Sequence, residues 1–133
     1  MGPIPDSAWV SNAVQVQSLV ITLWTVYLGI AAAALAFAAS GRPLLRKRLA
    51  RLGAIAGYAG VAGLNLWATL NARAQHDMMV NLIKDPALDQ LKQALLRPRP
   101  VVYIAMHLSV DVGVILMMWF LPQREAVAKK VEA

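Results

Sequence analysis

The sequence predicts an all-α membrane protein with three transmembrane helices, at about residues 16–39, 52–75 and 101–121. Three observations carry that prediction. Three apolar runs each reach the length of about 20 residues that a helix needs to cross a bilayer, and the interval from Ser7 to Gly41 contains no charged residue at all. Apolar residues make up 59% of the chain and charged ones only 15%, far from the balance of a soluble domain. Between the first two runs, residues 40–51 carry Arg42, Arg46, Lys47, Arg48 and Arg51 with no acid, as a short cytoplasmic loop does.

The 133 residues suffice for one integral-membrane domain. The net charge of +6 sits beside apolar runs, so membrane topology and anionic lipid account for it without a nucleic-acid partner. No cysteine is present, which removes disulfides, thiolate metal sites and a thiol nucleophile. The first run has no basic n-region and is too long for a signal-peptide core, so a retained span is expected. Asp6 stands where a myristoylation signal needs Ser or Thr. No phosphate loop, nucleophile elbow or HExxH is found, so an autonomous enzyme is not expected. Three spans without a visible inverted repeat also argue against a transporter acting alone.

In chain order, residues 1–15 form an outer segment where Pro3 and Pro5 oppose helix, Asp6 or Ser7 can cap a short one, and Trp9 suits the headgroup level. The first span has Ser18, Thr22 and Thr25 at helical spacing in its outer half, which reads as hydroxyls bonded to their own backbone or as part of a shared polar cluster. Its inner half, from Ala31, is small and smooth. The second span places Gly53, Gly57, Gly60 and Gly63 among alanines, a small-xxx-small pattern that predicts close helix packing or a niche for a flat ring. Tyr58, Asn65 and Thr69 share another face. Residues 76–100 nearly balance in charge and predict an outer amphipathic helical segment. Asp85-Pro86 starts a helix there, Leu88, Leu91 and Leu95 form its apolar side, and Arg97-Pro98-Arg99-Pro100 ends it. The third span ends at Pro122, followed by a polar tail, 122–133. The basic loop then puts the N-terminus outside and the C-terminus in the cytoplasm, and the composition suits a bacterial inner membrane.

The candidate chemistry lies in the third span. His107 and Asp111 are four residues apart, hence on one helix face, and a membrane carboxylate costs enough to demand a polar neighbour. Tyr103 extends the face by one more turn. Counted at 1.5 Å per residue, Asn65 and Thr22 or Thr25 fall at similar depth. Four readings of this set stay open. His107 and Asp111 can fix helix register structurally, with no cofactor; His107 can ligate a haem or chlorophyll-type pigment, flanked by Asp111, Tyr103 and Asn65; or Tyr103, His107 and Asp111 can serve a proton or quinone path. Separately, His76, Met78 and Met79 offer imidazole and thioether donors to a soft metal.

The stretch His107-Leu108-Ser109-Val110-Asp111-Val112-Gly113 resembles the HLxxDxG segment of the cytochrome b membrane subunit of succinate dehydrogenase, also a small three-span protein. In that family the segment ends the second span and follows a haem-ligating His and an Arg. Here the likeness covers seven residues in the third span, Met106 stands in place of the Arg, and no His lies upstream in the span. No residue role is carried over. The expected function is an accessory or structural subunit of a larger bioenergetic or transport complex, in contact with lipid and other membrane subunits.

Overall fold

The computed structural model describes residues 5–40, 42, 45, 47–96 and 99–131, of which 122–131 through the backbone alone. Every regular element among them is helical: α1 (Asp6–Ala39), α2 (Arg48–Asn81), a 3-10 turn (Pro86–Leu88), α3 (Asp89–Leu95) and α4 (Pro100–Val131). α1, α2 and the stretch leading through α4 are each long and apolar enough to cross a membrane. The three expected spans are therefore present, and all three helices outrun them. At 1.5 Å per residue, the 34 residues of α1 and of α2 extend to about 51 Å, well beyond a hydrocarbon core of about 30 Å.

Three sequence boundaries shift for this reason. The outer segment 6–15 is not a separate short helix but the first turns of α1, with Pro5 as its extended N-cap. α2 runs on to Asn81, and α4 continues through Pro122 to Val131. Charges and a proline mark where a helix leaves the membrane; they do not oblige it to stop. The start at Asp85-Pro86 is as expected. Asp85 accepts from the Ala87 backbone N–H at 2.9 Å, and Pro86 opens the turn that leads into α3.

The buried positions of α1 (Ala13, Val20, Tyr27, Ala31, Ala38) recur at seven- and four-residue steps. Tyr103, His107, Val114 and Met118 do the same on α4. Steps of this kind are the seam of helices packed close to parallel with their axes. Along the seam, apolar and polar layers alternate. Nearest the basic loop, Arg51 lies 4.8 Å over the Trp119 ring and donates to the Trp119 carbonyl oxygen at 3.2 Å. Next comes an apolar layer of Ala31, Ala38, Val114 and Met118, and then a polar layer centred on Asp111. Beyond it lie Val20, Ala72 and Tyr103, followed by a second polar layer around Arg73. Ala13, Val80 and Ile83, covered by Trp9, Leu88, Leu95 and Leu96, close the far end.

The glycines of α2 lie outside the packing between the three long helices. Gly53, Gly57, Gly60 and Gly63 are all exposed, and a methyl group on any of them would meet nothing within 4 Å. They do not pack against α1 or α4. The inward side of α2 is instead the one with Tyr58, Ala62, Thr69, Arg73, His76 and Val80. Polar side chains in a membrane bundle gain by facing one another, and that preference turns the small side outward.

Candidate functional site

Asp111 is where the three long helices meet chemically. Its Oδ1 accepts from the Tyr27 hydroxyl of α1 at 2.7 Å and from the Tyr58 hydroxyl of α2 at 2.8 Å. One carboxylate oxygen on α4 thus joins all three spans. Both distances are those of strong hydrogen bonds to a carboxyl oxygen. Tyr27 also lies 3.3 Å from the His107 carbonyl oxygen, but its single proton has the nearer acceptor in Asp111.

His107 lies one turn away, with no exposed surface. Its ring packs on Tyr27 with centroids 3.8 Å apart and on Trp24 at 5.0 Å. Nε2 is 3.3 Å from Asn65 Oδ1, and Asn65 Nδ2 donates to the Leu23 carbonyl oxygen at 3.1 Å. Nδ1 lies 3.7 Å from Asp111 Oδ2, too far for a hydrogen bond, and has no other partner. Tyr103 is buried near Trp24 and packs with Val20 and Ala72. Of the residues expected to cluster, Asn65 bonds His107 and Asp111 lies one turn further along the same face, while Tyr103 joins as an apolar wall.

Thr22 and Thr25 do not join them. Each hydroxyl bonds its own helix, to the carbonyl oxygens of Ser18 at 3.0 Å and Ile21 at 3.1 Å, and both residues face outward. The soft-metal set also disperses. His76 points into the bundle with no exposed surface, while Met78 is 59% exposed. Two residues apart on a helix, they project to nearly opposite sides. No group of three or more His, Cys, Asp or Glu gathers among the described residues.

Among the basic-loop residues, Arg42 stacks on Phe37 at 5.5 Å and remains exposed, as do Lys47 and Arg48. Arg51 departs from the expectation of a lipid-facing charge: it is 8% exposed and ties α2 to α4 through Trp119. Arg46 lies outside the described residues.

The second polar layer was not legible as a site. Arg73 is 1% exposed, sits 3.0 Å from Asp77 Oδ1, and donates to Gln17 on α1 and to the Leu95 carbonyl oxygen at the end of α3, both at 3.2 Å. His76 Nδ1 shares the same Asp77 oxygen at 3.2 Å. Three further bonds fasten the connection: Asp6 accepts from the backbone N–H groups of Lys84 and Asp85, and Lys92 donates to the Ile83 carbonyl oxygen. This end of the molecule is a clasp between α1, α2 and α3.

The geometry limits the chemistry. A haem or pigment ligand needs a ring nitrogen directed at open space, whereas both nitrogens of His107 are enclosed by protein. A proton route across the membrane needs a continuous relay, yet an apolar layer of alanine, valine and methionine separates Asp111 from Arg51. What the arrangement does provide is a three-helix lock. No family model, curated protein or solved structure matches this chain.

Proposed function

We propose that the chain is a non-catalytic membrane subunit that joins a larger membrane assembly by helix packing. The observation behind this reading is the outward small side of α2. Glycine in a helix costs about 1 kcal/mol relative to alanine, and contact with lipid gives nothing back for four of them on one side. Close approach of another helix does, through backbone-to-backbone packing. The internal lock fits the same role, because it leaves the three-helix body formed before it meets a partner.

In this reading the basic loop at 40–51 and the C-terminal end of α4 face the cytoplasm of a bacterial cell. The clasp with α3 then lies outside, with the exposed Leu91 toward the membrane surface. Reporter fusions at either end test the orientation. The assembly role is tested by purification from native membranes at mild detergent. A second polypeptide at fixed stoichiometry, lost in Gly57→Leu while the chain itself stays folded, is the expected result. A monodisperse single species unaffected by Gly57→Leu sinks the reading.

A further inference from the structure

The hydrogen bonds around His107 and Asp111 leave two facing atoms unsatisfied, and together they define a site for one proton. Asn65 is oriented by its donation to the Leu23 carbonyl oxygen, so its Oδ1 is what it turns toward His107. An acceptor at Nε2 requires the hydrogen of a neutral imidazole to reside there, which leaves Nδ1 with a bare lone pair. Nδ1 is buried and has no hydrogen-bond partner. The atom it faces, Asp111 Oδ2, receives no hydrogen bond among the described residues, since both phenols are spent on Oδ1. An ionised carboxylate beside a neutral ring would therefore set two acceptors against each other at 3.7 Å. Nδ1 is fully buried while the Asp111 side chain is 17% exposed, so the ring nitrogen would be left facing another acceptor with no partner of its own, which is costly and more so within a bilayer.

We infer that His107 and Asp111 form a single-proton site, with one proton held between Nδ1 and Oδ2. It resides on Oδ2 and is donated to Nδ1, or it has passed to Nδ1 and is donated back to the carboxylate. Either form contains the same atoms, satisfies both facing atoms and leaves the pair with no net charge at membrane depth. The site requires the 3.7 Å separation to shorten to hydrogen-bond length while Oδ1 keeps its two phenols. Tyr27 and Tyr58 are the other titratable groups around the pair, from α1 and α2, and each enters only as a donor to Oδ1. No assembly partner is invoked, so the site stands or falls apart from the subunit role.

The test is a count of protons on the intact protein in detergent or vesicles at neutral pH. Infrared spectroscopy with carboxyl-labelled aspartate reads the acid carbonyl stretch, and nitrogen NMR of labelled histidine reads the ring state. Only two histidines are present, and His76→Gln identifies which signal is His107. Asp111→Asn should erase any acid band assigned to the pair; where that variant does not fold, the deuterium shift of the band against Asp77→Asn identifies it. The expected result is one proton: an acid carbonyl with a neutral ring protonated on Nε2, or a carboxylate with an imidazolium. A carboxylate beside a neutral ring, or an acid beside an imidazolium, overturns the site.

Discussion

The two sides of α2 differ in almost every property. Toward the bundle lie Tyr58, Asn65, Arg73 and His76, each committed to a contact on another element or to a neighbouring acid. Away from it lie Gly53, Gly57, Gly60 and Gly63, with Leu64 and Trp67 exposed beside them. The difference teaches which forces fold this chain. Lipid is as apolar as leucine, so burying apolar surface between helices gives little net drive, and polar contacts with shape-matched packing decide which sides meet. The polar side is used within the chain, and the small side faces outward.

The strongest way to break this comparison is to remove the polar hub. Asp111→Leu leaves both phenols without their acceptor, and a loss of about 1–3 kcal/mol is expected for each buried donor left unsatisfied. Denaturation in mixed micelles, followed by helicity and tryptophan fluorescence, measures it. Asp111→Asn keeps an oxygen for the phenols and offers an N–H to Nδ1, so it should lose no more than about 1 kcal/mol. Equal losses in the two variants would remove the hub from the account.

A smaller and more local effect is expected at the clasp. Arg73→Met removes the donor to Gln17 and to the Leu95 carbonyl oxygen, so hydrogen exchange across residues 86–95 should accelerate while the middle of the bundle is unchanged. Unaltered protection of that segment would show that the apolar contacts of Leu88 and Leu95 alone hold α3. Tyr58→Phe removes one of the two phenol bonds and should cost about 1 kcal/mol, within the range of single hydrogen bonds in membrane bundles. The smallest loss belongs to the open side: Gly57→Leu should cost the isolated three-helix body nothing and should stabilise it by up to about 1 kcal/mol, because the helical glycine penalty is removed and the new side chain meets no neighbour. A net loss would mean that the small side packs internally after all.

Much of the fold was legible because bilayer length is a coarse ruler, and three apolar runs with a basic loop meet it unambiguously. Asp85-Pro86 was legible because a cap and a first-turn proline act locally. His107 and Asp111 stood out since ionisable groups are rare in spans. Asn65 followed from its matching depth, but the two phenols did not. Tyr27 and Tyr58 lie in apolar runs where a tyrosine serves equally as bulk, and only the register between helices brings both hydroxyls to one oxygen. Arg73 and Gln17 look like the polar ends of spans until the overlong helices are seen to bring them together, with Arg73 buried. The threonines misled in the opposite sense, because a hydroxyl can satisfy itself on the preceding turn. Helical periodicity located the glycine side correctly and left its direction open, since nothing local says whether small residues face inward or outward.

The central claim is that this outward small side receives another protein, and a photo-crosslinker introduced at Gly60 in native membranes tests it most directly. Leu108, exposed on α4, serves as the comparison site. The account predicts a discrete protein adduct from Gly60 and lipid adducts alone from Leu108. Lipid adducts alone from both positions would contradict it and leave a self-contained three-helix body with its glycines facing the bilayer.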